Sequence, residues 1–441
     1  MESNKAFYLS IAFTNRDLCT RCGTCVGACP VEALSVGPDF FPEVDENICT
    51  RCGLCKETCP GGRVNYADIT ELTFGHRNDE VLFDGHVRAV CFGHASDERI
   101  RAGGAGGGVI TALLWDLLNR KVVDGCIVTR MDPDRPWFGK VYIARTYDEL
   151  LESQQSKYIV IPMNSILQQI RRETGRFAYV GLPCHIHGLR LLLDRDPVLR
   201  ERIHCVIGLF CASAMEPCIA TDFLAARGIR PEDILDFKFR DGMWPGRICA
   251  VLRDGERRPL HQSNFKDGAI NYMTYLYSPP RCQTCIDGSA EFSEISISDA
   301  WTRDSRGNYL AGGQSRLLVR TGTGERLVRE ACESGALVTK EVSNEKAYQT
   351  HRLHTRKKGM SARLRVARYR RLGWTSPEYD RPAPEATTGQ HLEEWMESAI
   401  MSLGRIPRLR YVLFTFLTSR WGSPFIWIRQ ARKRWKYRDR S

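Results

Sequence analysis

No stretch of the 441 residues reaches the roughly 18 continuous apolar residues that a membrane-spanning helix needs. The longest apolar patch near the end, 411–428, is broken by Thr418, Ser419, Arg420 and Gly422. The N-terminus, MESNKAFYLSIAFTNRD, has no basic region followed by an apolar run, so no signal peptide is expected. A complete G-x-G-x-x-G is missing, and with it the usual dinucleotide fingerprint. No nucleic-acid-binding module accompanies the basic residues, so nucleic acid is not an expected partner. No carboxylate or histidine stands apart as a proton donor; His185 and His187 flank Cys184 and are assigned no role.

What the chain has in quantity is cysteine, 18 in all. The first run is Cys19, Cys22, Cys25 and Cys29, followed by Pro30; the second is Cys49, Cys52, Cys55 and Cys59, followed by Pro60. Both read C-x2-C-x2-C-x3-C-P, the spacing by which thiolates hold [4Fe–4S] clusters, with each fourth cysteine serving the other cluster. Cys19, Cys22, Cys25 and Cys59 are therefore expected around one cluster, and Cys49, Cys52, Cys55 and Cys29 around its partner. A zinc module or a disulfide framework competes poorly. Zinc sites seldom use a third cysteine in one tight run, and disulfides do not explain the repetition.

The net charge of +11 is uneven: residues 346–441 hold 22 Lys and Arg against 7 Asp and Glu, which leaves the rest at −4. On this reading the basicity belongs to the tail and says nothing about the core. The ten other cysteines are irregularly spaced, as in a reducing cytoplasm rather than a disulfide-stapled secreted protein. Cys91, Cys126, Cys205, Cys218, Cys249 and Cys332 read as small buried hydrophobes.

Along the chain, 87–93 reads as a buried strand, GGAGGG (103–108) as a turn, 109–120 as an amphipathic helix and 122–130 as a strand. A glycine turn opening a helix brings backbone N–H groups toward an anion, although a merely flexible turn is an equal reading. Strand and helix signals then alternate, giving an α/β core with a mixed sheet. Two strands end in Cys184 and Cys211, at the edge where α/β proteins place ligands. Cys282 and Cys285 follow as a C-x-x-C in a loop led by proline. These four could complete a third [4Fe–4S] site; inert buried thiols and a zinc half-site or redox pair stay open. The segment 237–246 (FKFRDGMWPG) reads as a ligand loop or only a hairpin.

Taken together, the motifs resemble the coenzyme F420 hydrogenase/dehydrogenase beta-subunit family. They are GGVITALL (107–114), QSKY (155–158), GLPCHIHGLR (181–190), GLFC (208–211), FRDGMWPG (239–246), RCQTC (281–285) and ISISDAW (295–301). They cover 15 to about 303 and leave the tail aside. The resemblance implies FAD in the α/β core and favours the third cluster on Cys184, Cys211, Cys282 and Cys285. It also implies that Gly107, Gly108 and Thr111 lie near the flavin phosphates, with Lys157 as a cationic partner of the phosphate or the reduced ring. The family's serine before the double glycine is Gly106 here, so a hydroxyl contact at that position is in doubt.

The expected architecture is α+β with an α/β core: a dicluster ferredoxin fold over 1–66, a flavin-binding core over 67–345 (67–150 and 151–345), and a basic helical extension over 346–441. The expected function is an iron–sulfur flavoprotein oxidoreductase passing electrons between two or three [4Fe–4S] clusters, FAD and a soluble two-electron acceptor such as a deazaflavin. The alternative is a non-catalytic subunit that wires a partner enzyme. Expected partners are a ferredoxin or a hydrogenase-like subunit, in the cytoplasm. For 404–441 three readings are open: packing on the core, docking on an acidic partner, or contact with an anionic membrane surface, the last being less favoured.

Overall fold

The computed structural model describes residues 8–77, 84–242, 244–261, 269–301, 312–342, 355–422 and 424. Its first unit shows why the cysteine pattern repeats. Each run turns through a left-handed Arg and Gly, at Arg21 and Gly23 and again at Arg51 and Gly53. Each turn then opens a short helix, α1 (Thr24–Ala28) in the first copy and Leu54–Glu57 in the second. The hairpin β1 (Leu34–Val36) and β2 (Pro42–Val44) and the short strand β3 (Arg63–Val64) complete this unit.

The core is one eight-stranded mixed sheet. Its strands are β4 (Ala89–Ala95), β5 (Gly125–Met131), β6 (Gly139–Ala144), β7 (Phe177–Gly181), β8 (Ile203–Leu209), β12 (Ile295–Asp299), β13 (Ser315–Val319) and β14 (Leu337–Glu341). They lie in the order β14-β4-β13-β12-β8-β7-β5-β6. Strands β5, β7, β8 and β12 are parallel, and the flanking pairs are antiparallel. All five residues of β7 are buried, the unbroken apolar run expected of a central parallel strand. The helix α2 (Val109–Asn119) lays Val109, Ala112, Leu113 and Leu117 on one face of the sheet. The helix α3 (Pro183–Arg195) packs Ile186, Leu189 and Leu192 on the other. A separate antiparallel sheet, β9 (Ile234–Asp241), β10 (Arg247–Leu252) and β11 (Arg257–Pro259), covers a third core.

The C-terminal extension is packed onto both units. A π-turn (Thr355–Ser361) leads into α4 (Ala362–Arg371), the strand β15 (Glu378–Tyr379), α5 (Thr388–Gly404) and α6 (Pro407–Thr418). Strand β15 pairs with β3, tying the extension to the N-terminal unit. Helix α6 buries Phe414 against Phe223 and Tyr277, so packing on the core holds for this part of the tail. Residues 423 and 425–441 lie outside the described residues. Three basic residues of the extension, Lys357, Lys358 and Arg365, are buried. Among the described residues no helix is long and apolar enough to cross a membrane.

Candidate functional site

The N-terminal thiols gather in the crossed arrangement. Burial, then the neighbours Cys59, Cys22 and Cys19, push the Cys25 thiol well up. Burial and Cys59 push Cys19 up to about 12. In the second group burial raises Cys55 to about 11, with Cys52 and Cys29 adding to it. Cys25, Cys29 and Cys55 share one small apolar core against which Cys49 packs. Thiols that burial alone would keep protonated become ligands only where positive iron compensates, so these sites suit clusters.

The third set also comes together. Burial raises Cys184 strongly, and the thiols acting on it are Cys22, Cys282, Cys285 and Cys211. Its position differs from the sequence expectation: β7 stops at Gly181, and Cys184 sits in the first turn of α3, not at a strand end. Pro183 at the first helical position explains this, since its fixed φ and missing N–H start a helix there. Cys211 lies two residues beyond β8, and Cys282 on a short helical turn, Pro280–Gln283. Among the described residues no three His, Cys, Asp or Glu side chains could hold a single metal ion. Cluster thiolates each bind a different iron, so their sulfurs stand farther apart than the ligands of one ion.

A buried polar network joins the first run to this set. Asn164 donates from Nδ2 to Thr24 Oγ1 (2.8 Å) and to the His185 carbonyl (2.8 Å), while its own N–H donates to the Cys22 carbonyl (2.8 Å). Thr24 Oγ1 lies 3.0 Å from Cys22 Sγ. Arg281, beside Cys282, donates to the carbonyls of Gly61 (2.7 Å) and Pro60 (3.1 Å), next to Cys59.

A cavity of about 480 Å³ opens at the carboxyl ends of β5, β7, β8 and β12, the place where open α/β sheets bind ligands. Its wall includes Gly104–Gly106, Gly108 and the first turn of α2, Val109, Ile110 and Thr111, whose N–H groups have no partner within the helix. Cys211, Lys157 and His185 line it too, so the thiol set reaches the cavity directly. Gly107 does not. A Cβ there would lie 2.7 Å from Ser315 N and 2.9 Å from Gly93 O, at φ +70°, so that glycine serves backbone packing. At Gly106 a Cβ would meet Asp299 Oδ1 at 2.1 Å, so a serine at this position would require the Asp299 carboxylate to move.

Lys157 is half-buried at the cavity wall and donates to the carbonyls of Ser153 (2.5 Å), Gln154 (2.8 Å) and Gln155 (3.2 Å). Burial, with Lys238 nearby, pushes its pKa down to about 7. It thus holds the 153–155 loop as well as presenting a charge. Burial also lowers His185, to about 4, which leaves its imidazole neutral. Sequence reasoning missed the pair Arg240–Asp299 (2.5 Å), both at the cavity. Arg240 also donates to the Ala105 carbonyl and so braces the glycine turn. The signal was present in FRDG and ISDAW, the motifs that contain the two residues. The segment around Arg240 is in fact both a hairpin, β9–β10, and a contributor to the cavity.

Comparison with known proteins follows this division. Residues 90–168 match the N-terminal family model of the coenzyme F420 hydrogenase/dehydrogenase beta subunit, and 174–345 match the model of its carboxy-terminal part. Residues 12–35 match a "4Fe-4S binding domain". One subunit of the F(420)H(2) dehydrogenase of Methanosarcina mazei is 25% identical over 72% of this chain and 84% of its own length. The coenzyme F420 hydrogenase subunit beta of Methanococcus voltae is 26% identical over 59% of this chain and 87% of its own. The coenzyme F420-dependent sulfite reductase of Methanocaldococcus jannaschii is 27% identical over 51% of this chain, which spans only 34% of that protein. A chain of the F420-reducing [NiFe] hydrogenase complex from Methanosarcina barkeri shares the fold. Its TM-score is 0.51 at 19% identity, covering 68% of this chain and 98% of that one. With an N-terminal 4Fe-4S domain ahead of both matched halves, the chain belongs to the coenzyme F420 hydrogenase/dehydrogenase beta-subunit family of iron–sulfur oxidoreductase-type proteins.

Proposed function

We propose that this chain moves electrons between three [4Fe–4S] clusters and FAD, and between FAD and a soluble two-electron carrier of the deazaflavin type. One observation carries the reading: Cys211 lines the cavity, while Cys184 of the same set neighbours Cys22 of the N-terminal unit. A continuous route of thiol sites therefore runs from the surface module to the ligand cavity. Clusters exchange single electrons, and a bound flavin stores two and delivers them together. The chain's own residues would hold that flavin: the first-turn N–H groups of α2, Thr111 and Lys157 line the cavity and would serve its phosphates, and the Arg240–Asp299 pair braces the glycine turn. Relatives named as hydrogenase and dehydrogenase subunits support a hydrogenase-like partner, and so a second reading in which the chain only relays electrons within a complex.

Anaerobically purified protein is expected to release about one flavin per chain on denaturation, and its flavin to be reduced by a reduced deazaflavin. Cluster colour without any released flavin would leave only the relay reading. Lys157→Met is expected to weaken flavin retention roughly tenfold, the loss of about one charged hydrogen-bonding group. In the wild type retention should fall as pH rises through about 7, where the half-buried ammonium loses its proton, and the variant should show no such step. Equilibrium dialysis across pH 6 to 8.5 measures both; a variant that keeps the wild-type affinity and pH profile would remove Lys157 from the flavin site.

A further inference from the structure

The C-terminal extension lies outside both matched family halves, which end at residue 345. Yet it grips the loop that carries Cys282 and Cys285. Three consecutive carbonyls of that loop each accept from the extension. Lys358 Nζ donates to Cys282 O (3.0 Å), Arg365 Nη1 to Gln283 O (2.7 Å) and Tyr379 OH to Thr284 O (2.8 Å). Lys358 comes from the π-helical stretch Thr355–Ser361, an i→i+5 geometry frequent at functional sites. The stretch buries two successive lysines toward different places. Lys357 lines the cavity, donating to Thr274 Oγ1 (3.1 Å), and Lys358 enters the thiol set.

Lys358 is 2% exposed. The groups acting on it most are Cys285, Cys211, Cys282 and Arg281, none of them a carboxylate. A buried ammonium costs several kcal/mol unless an anion answers it. The neighbouring thiols can supply that anion, and they are anionic only as ligands. In a [4Fe–4S] centre four sulfides and four thiolates outweigh the iron charge, so the ligated centre is an anion, and a more negative one when reduced. A cation fixed beside it stabilises the reduced form more than the oxidised form. Net charge and hydrogen bonds near the sulfurs are among the terms that set such potentials.

We propose that Lys358, delivered by the C-terminal extension, is the built-in counter-ion of the cluster held by Cys184, Cys211, Cys282 and Cys285 and raises that cluster's reduction potential. The proposal rests on the reading that these four cysteines hold a cluster. Lys358 acts through the cluster and is a positioning residue.

The test is an EPR-monitored redox titration of the full-length, cluster-loaded protein, with iron analysis on the same samples. Lys358→Met is expected to lower the midpoint of one of three cluster signals by a factor of about ten in its reduction equilibrium, about 59 mV for one electron. The other two signals should stay in place and certify the fold. Lys358→Arg should restore most of the shift. Full iron with an unmoved potential in Lys358→Met would overturn the proposal. So would loss of the third signal in both Lys358→Met and Lys358→Arg, since the side chain would then be needed for packing alone. Loss in Lys358→Met with rescue in Lys358→Arg would support a charge requirement. Wild-type protein with two cluster signals and about eight irons would overturn the third cluster itself, and this proposal with it.

Discussion

Replacing Cys282 and Cys285 together by serine is expected to cut bound iron from about twelve to about eight per chain, at four irons per cluster. The neighbourhood of these residues explains why the loss should stop there. Cys282 and Cys285 act on Cys184 and Cys211, whereas the N-terminal groups close among themselves through Cys59 and Cys29. The loop backbone is held by Arg281, Lys358, Arg365 and Tyr379 through carbonyls and side chains that the substitutions leave alone. Iron analysis and low-temperature EPR on the purified variant decide the matter, and unchanged iron would sink the third cluster. Flavin should still bind in this variant but should no longer be reduced through the N-terminal clusters.

The second large effect is expected at the seam between the two units. A Cβ on Gly188 would lie 2.1 Å from Thr24 Oγ1, and one on Gly27 would lie 2.1 Å from the Asn164 carbonyl. Helices α1 and α3 touch at Gly188, α1 meets the turn Met163–Ile166 at Gly27, and the Thr24 hydroxyl joins the Cys22 sulfur to the Asn164 side chain. Gly188→Val should therefore push the N-terminal unit off the core, at an overpacking cost of about 1–3 kcal/mol. The clusters of that unit are formed by its own loops, so iron should be retained. Flavin reduction should lag behind cluster reduction by at least an order of magnitude in stopped-flow traces, about 1.4 kcal/mol or more on the barrier. Traces in which both bleach together, as in the wild type, would show that the seam does not govern the transfer.

Much of this arrangement could be read from the amino-acid order. The two cysteine runs carry their own geometry, because ligand spacing within a few residues is a local property. The helix after the glycine turn and the strand at 177–181 were legible for the same reason: period and apolar runs are local too. Cys184 was misplaced by a few residues because the apolar run was read on past Pro183, although a proline at that point is itself a local helix-start signal. Gly107 was read as a ligand glycine, whereas its constraint comes from Ser315 and Gly93, far away in the chain. The Arg240–Asp299 pair and the burial of Lys358 depend on contacts across 59 and 76 residues, and no residue pattern announces such partners. A count of charges in the tail was correct, but a count does not say which charges point inward.

Strand β15 pairs with β3 across 315 positions of the chain, from Glu378 back to Arg63. The ribosome fixes the order in which these partners exist. At about 5–20 residues per second, roughly 15–60 s of synthesis separate the emergence of the two strands. Throughout that interval the cysteine runs are already outside the tunnel while the segment that will latch onto them has not been made. Iron and sulfide therefore have an open door during translation. The door shuts from the far end of the same polypeptide, so the N-terminal unit stays without this strand until most of the chain has been made.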